Sequence, residues 1–188
     1  MTHLDLEQAV KFFTTLHSNK LETDNAGITC VNVSFHASVS QGMGYLHARG
    51  IVHKDLKTKN IFLENGKVVI TDFGLFNVAK LCRQNKDNWL SIPPGWLCYL
   101  SPEIIKSLEA RWRHDHDLPF KATSDVFAFG TMLYELLCGE QPFKQQPPEA
   151  IIWQVGKGIK QPFGHIQASR ELKVLLMLRC KATTVCWL

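Results

Sequence analysis

Apolar side chains set the first boundaries on this chain. In residues 5–17, Leu6, Val10, Phe13 and Leu16 fall near one face of a short amphipathic helix. Asn25-Ala26-Gly27 then breaks the pattern. Residues 28–49 carry two periods at once. Val31, Val33, Phe35, Ala37 and Val39 alternate like a strand, whereas Ile28, Val31, Phe35, Val39, Met43 and Leu46 recur at helical spacing. Length and the stop at Gly50 favour a helix. Ile61-Phe62-Leu63 and Lys67-Val68-Val69-Ile70 flank Asn65-Gly66, the pair that best supplies the left-handed residues of a tight hairpin turn.

Residues 74–100 lose periodicity and hold Trp89, Pro93, Pro94, Gly95 and Trp96, which reads as a long irregular loop of the kind that carries function. Ser101-Pro102 opens a helix, since serine caps and proline suits the first helical position. A second loop is expected over 115–121. From Ser124 to Cys138 the apolar residues Val126, Phe127, Phe129, Met132, Leu133, Leu136 and Leu137 cover nearly every side, as in a helix buried all round. Gly139 ends it and Pro142 prevents its resumption. Further helices are expected over 148–155 and 168–178. The fold class is therefore α+β, mainly helical, with one short hairpin.

Composition narrows the function classes. A chain of 188 residues, 45% hydrophobic and 20% charged, with a net charge of +4, is ordinary for a soluble globular protein. Its basic residues are dispersed (Lys54, Lys57 and Lys59 in one loop, others around Arg111 and Arg113), without the basic stripe of a nucleic-acid reader. Six cysteines without Cys-x-x-Cys or histidine-spaced metal patterns suit a reducing compartment, so the cytoplasm is expected. Met1 to Glu7 does not read as a signal peptide, and no apolar run reaches the length of a membrane span.

The chemistry gathers at the two ends of the expected hairpin. His53-Lys54-Asp55-Leu56-Lys57-Thr58-Lys59-Asn60 precedes it, and Asp72-Phe73-Gly74 follows it. Phosphoryl transfer needs a carboxylate beside the attacking hydroxyl and oxygen ligands for a magnesium ion bridging the phosphates. Asp55 is the candidate proton acceptor, and Lys57 can reach the transferring group. Asn60 and Asp72 can converge on magnesium because the hairpin folds the chain back on itself. The plainer alternative, polar loop residues satisfying nearby backbone, does not account for both motifs at that separation.

This pair of motifs resembles the protein kinase fold, with Lys57 marking the serine/threonine type. More narrowly, the chain resembles the kinase-suppressor-of-Ras family of Raf-related pseudokinase scaffolds, with Raf itself as the nearest alternative. The residues carrying the resemblance are His53-Lys54-Asp55, Thr71 to Phe76, Gly95 to Glu103, Ser124 to Gly130 and Pro148 to Gln154, and it runs from about Gln41 to about Leu178. It implies the large, C-terminal kinase lobe over 28–179, with an atypical segment at 1–27, a divergent tail at 180–188 and no small lobe. It also implies ATP and Mg2+ as family cofactors, held through Lys57, Asn60 and Asp72. His53, Phe73 and Gly74 become structural parts of the catalytic centre. Glu103 closes the activation segment, and Asp125 tethers the catalytic loop to the buried helix. Lys54 stands where most kinases have arginine, and a lysine cannot reproduce the planar fork that grips a phosphorylated loop.

The same resemblance implies docking of the downstream kinase MEK on the activation segment and the 148–155 helix, with Trp96, Ile151 and Trp153 facing the partner. Pairing with Raf is expected to be weakened or lost, because that surface belongs mainly to the small lobe. Gly42-Met43-Gly44 is a poor substitute for a phosphate-covering loop, since His47 stands in place of its third glycine. Ala9-Val10-Lys11 is likewise too close to Asp55 to supply the strand lysine. The arginine that pairs with Glu103 in the family is also missing, unless Arg170 or Arg179 replaces it. Three readings follow: a scaffold docking MEK in the Ras–Raf–MEK cascade, an ATP-dependent serine/threonine kinase, or a truncated fragment without function. The scaffold is expected, with recruitment to the membrane left to a longer protein.

Overall fold

The structure is a computed structural model that describes residues 27–74, 94–108 and 118–159. The segment 1–26, the tail and the helix expected at 168–178 lie outside the described residues, as do most of the two loops. In chain order the elements are α1 (Gly27–Ala48), a 3-10 turn (Thr58–Asn60), β1 (Ile61–Glu64), β2 (Lys67–Ile70), α2 (Pro94–Leu97), α3 (Pro102–Ser107), α4 (Ala122–Cys138) and α5 (Pro148–Gly156).

The double period of α1 resolves as helix. Val39, Met43 and Leu46, spaced four and three apart, are all buried, which is the stripe a helix presents to a core. Gly42 lies inside this helix, so Gly42-Met43-Gly44 is no phosphate loop. Its use is close approach: a methyl group at Gly42 would come 2.7 Å from Ile70 Cδ1. That bare surface lets α1 rest against β2, where Val68 and Ile70 are half-buried.

β1 and β2 pair antiparallel, Ile61 opposite Ile70 and Glu64 opposite Lys67. Asn65 (φ 50°) and Gly66 (φ 75°) both take the left-handed conformation at the turn, as the Asn-Gly pair requires. Phe62, Leu63 and Val69 are exposed on this hairpin.

Helix α4 is the spine. It begins two residues before the expected Ser124, and Ser124 acts from inside its first turn, where Oγ accepts from Lys121 N–H at 3.3 Å. Phe129, Met132 and Leu133 are wholly buried, each contributing about 1.5–3 kcal/mol. The last turn, from Glu135 to Cys138, is only half-buried, so the expectation of burial on every face holds for the middle of the helix alone.

Two local expectations need correction. Pro94 to Leu97 form a helical turn, not irregular loop. Ser101 stands at the N-cap of α3 with extended backbone, yet its hydroxyl makes no capping bond and is buried without a partner among the described residues. Pro102, which has no N–H to satisfy, starts the helix, and Ile105 N–H reaches Ser101 O at 3.0 Å. Among the described residues no helix is long and apolar enough to cross a membrane.

Candidate active site

The loop from His53 to Asn60 is anchored from a distance. Asp125, in the first turn of α4 and 2% exposed, accepts backbone N–H groups from His53 (2.8 Å, Oδ2) and Lys54 (2.9 Å, Oδ1). His47 Nε2 donates to the same Oδ2 at 2.8 Å. The positive end of the α4 dipole adds to this attraction for a buried carboxylate. Lys54 is held at φ 71°, a left-handed conformation uncommon for lysine, and the paired bonds to Asp125 offset its cost.

Two backbone bonds then bring the hairpin's far end back to the loop. Thr71 N–H donates to Asn60 O at 2.9 Å, and Gly74 N–H donates to His53 O at 3.0 Å. The His53 ring is fully buried, and its Nδ1 accepts Asp55 N–H at 3.3 Å. Burial pushes its pKa below the ordinary 6.5, outweighing the pull of Asp125. The ring is therefore a neutral packing piece rather than a proton carrier.

Asp55 stands at the centre, with its side chain 20% exposed. Lys57 Nζ donates to both carboxylate oxygens, at 2.9 Å to Oδ1 and 2.7 Å to Oδ2. Asn60 Nδ2 reaches Oδ2 at 3.2 Å and Asp55 O at 2.8 Å. Trp96 Nε1, from α2, donates to Oδ1 at 2.6 Å. A carboxylate offers about four lone-pair directions, and these contacts use them.

Asp72 contrasts with this. It is exposed, sits at φ 59°, and its carboxylate has no hydrogen-bond partner among the described residues. Asn60 spends its amide nitrogen on Asp55, which leaves Oδ1 for another ligand. An amide oxygen and a carboxylate are the hard donors magnesium takes, usually one or two from protein with water and phosphate completing the shell. The residues present fit that ion. Among the described residues no group of three or more His, Cys, Asp or Glu side chains gathers as a metal site.

Not every expected residue lands where the sequence pointed. Trp96, expected to face a partner, is 7% exposed and turned onto Asp55; Ile151, expected to do the same, is 4% exposed and belongs to the core. Neither side chain is available at the surface, because α2 and α5 spend them on packing. Trp153, at 59% exposed, is available, and Ile152 beside it is 38% exposed. Glu103 receives Ser124 Oγ at 3.3 Å on Oε1, while Oε2 is buried without a hydrogen-bond partner among the described residues. Arg170 and Arg179 lie outside the described residues. Phe73 is exposed, and Gly74 adopts φ 71°.

Sequence reasoning missed His47, Thr58, Tyr99 and Glu135. Glu135 Oε2 accepts from Thr58 Oγ1 at 3.0 Å and from the Tyr99 hydroxyl, joining the 3-10 turn, the stretch between α2 and α3, and α4 at one oxygen. Burial and then this hydrogen bond to Glu135 raise the Tyr99 pKa well above its ordinary value. Burial also drives the Cys98 thiol up to about 12, so it stays protonated.

A catalytic-loop carboxylate braced by lysine and asparagine, tied by the hairpin to Asp-Phe-Gly and bolted to a buried helix, is the constellation of a protein kinase. The profile of the protein tyrosine and serine/threonine kinase family matches residues 11–185, and the chain belongs to that family. Among its relatives, it is 51% identical over 150 residues to kinase suppressor of Ras 2 of Mus musculus and 50% identical to that of Homo sapiens, each alignment covering 79% of this chain. Kinase suppressor of Ras B of Caenorhabditis elegans is 46% identical over 109 residues, covering 55% of this chain and 20% of that relative. The chain spans only about 15% of the length of the two mammalian relatives.

Proposed function

We propose that this chain is the large-lobe portion of a kinase-like scaffold in the Ras–Raf–MEK cascade, acting in the cytoplasm and docking MEK on the outer face of α5. The observation that carries the reading is Trp153, a large apolar side chain 59% exposed on a helix whose Ile151 and Val155 are already buried. Tryptophan is among the residues most enriched in binding hot spots, and the exposed Ile152 beside it widens the apolar patch. The names of the relatives support the pathway. Pairing with Raf is expected to be weak for this chain.

The test is titration of the purified 188-residue chain with MEK, wild type against Trp153→Asp. Trp153 is outside the core, so the variant is expected to fold, which circular dichroism checks. Saturable binding lost in the variant supports the scaffold; no binding by folded wild-type chain ends it.

A second reading, an ATP-dependent serine/threonine kinase, is favoured by the convergence of Asp55, Lys57 and Asn60 and by the open Asp72. Magnesium supplies charge neutralisation of the phosphates when bound, and Asn60 and Asp72 would hold it. Lys57 would carry positive charge to the phosphoryl group, and Asp55 would accept the hydroxyl proton. Magnesium-dependent nucleotide binding abolished by Asp72→Ala supports this reading; its absence in the wild-type chain removes it.

A further inference from the structure

The geometry points to Trp96 as a built-in cap on the Asp55 carboxylate, one that shuts out a substrate hydroxyl until α2 lifts away. This rests on reading Asp55 as the kinase-type carboxylate. A hydroxyl handing its proton to Asp55 must come within about 2.6–3.2 Å of a carboxylate oxygen. The indole N–H already occupies Oδ1 at 2.6 Å, with Lys57 on the same oxygen. Lys57 and Asn60 fill Oδ2. Lys57 and Asn60 belong to the loop itself and hold Asp55 from its own side. Trp96 comes from 41 positions away, so it can depart without dismantling the loop.

The cap is fastened, not loosely laid on. Thr131 Oγ1 of α4 donates to Cys98 O at 2.9 Å in a buried bond, and Tyr99 is held by Glu135. Gln141 Nε2 reaches Gly95 O at 3.3 Å on the other side. The residues on both sides of Trp96 are thus pinned to α4 and to the chain just beyond it. Opening requires α2 to move, not merely a side-chain rotation.

Carboxylate labelling tests this on the whole 188-residue chain. A water-soluble carbodiimide with glycine ethyl ester modifies accessible carboxylates, and peptide mass spectrometry gives the ratio of labelling at Asp55 to that at exposed Asp72. Trp96→Phe keeps an aromatic side chain, smaller than indole, and removes the N–H. The ratio is expected to rise roughly tenfold, the scale of one charge-assisted hydrogen bond. An unchanged ratio in a variant with wild-type circular dichroism overturns the cap. Should the variant fail to fold, indole exchange in the 15N-labelled wild-type chain decides: Trp96 N–H must exchange at least tenfold more slowly than Trp153 N–H, and equal rates overturn the proposal. Phosphoryl transfer from magnesium-ATP to a generic basic protein is measured alongside. If it stays absent while labelling rises, the cap stands and the catalytic reading of Asp55 falls.

Discussion

The two aspartates at the ends of the hairpin have opposite surroundings. Asp55 is gripped by Lys57, Asn60 and Trp96, on a loop bolted to Asp125. Asp72 is exposed, on left-handed backbone, with no partner among the described residues. Their chain neighbours are tied together by Thr71 to Asn60 and Gly74 to His53. The difference is therefore in the side chains, not in the placement of the backbone. The Asp55 end is assembled by contacts within the fold, whereas the Asp72 carboxylate is left open to whatever is brought to it. Stability should respond strongly at the first and hardly at all at the second.

The largest effect is expected at Asp125, which holds the Asp55 side in place. Asp125→Ala leaves two backbone donors and His47 unpaired in a buried site, at a cost of about 3–5 kcal/mol, read as a lowered urea midpoint. A loss under about 1 kcal/mol would mean that the loop holds itself. Tyr99→Phe removes one bond to Glu135 from the segment carrying the cap, and about 1–2 kcal/mol is expected by the same measurement.

The third prediction uses pH. His53 has a folded pKa below its unfolded 6.5 because burial disfavours its charge. The unfolded chain then binds more protons in the interval between the two values. Its contribution is whole above pH 6.5 and is lost as pH falls through the folded pKa, with a slope no steeper than about 1.4 kcal/mol per pH unit. Urea midpoints at pH 7.5 and 5.5 should differ more in the wild type than in His53→Gln. The smallest effect is expected at Asp72: Asp72→Ala should move stability by no more than about 0.5 kcal/mol and remove any magnesium-dependent nucleotide binding. A large loss of stability there would erase the contrast.

Local chemistry made much of this legible. Asn65-Gly66 specified the hairpin and its turn, and the apolar run from Val126 to Leu137 located the spine. The motifs around Asp55 and Asp72 pointed to residues whose backbones are indeed joined. Ile151 could have been placed correctly too. Ile151 and Val155 stand four apart and share the buried face, while Ile152 and Trp153 fall between them and outside. The contact of Trp96 with Asp55 was not legible, since it links a loop to a single helical turn 41 positions away, too short for any period to mark. Nor was Gly42, whose missing side chain has meaning only once Ile70 is known to lie against it.

The bolt at Asp125 also has a consequence in time. It lies 72 positions beyond His53, the residue it secures. At about 5–20 residues per second, a ribosome takes on the order of 4–14 s to reach it after the loop has been made. During that interval the loop is unanchored, and Val39, Met43 and Leu46 of α1 lack Phe129, Met132 and Leu133 of α4, with which they share the core. Chaperones that bind apolar segments have their clearest opportunity then, before α4 is complete.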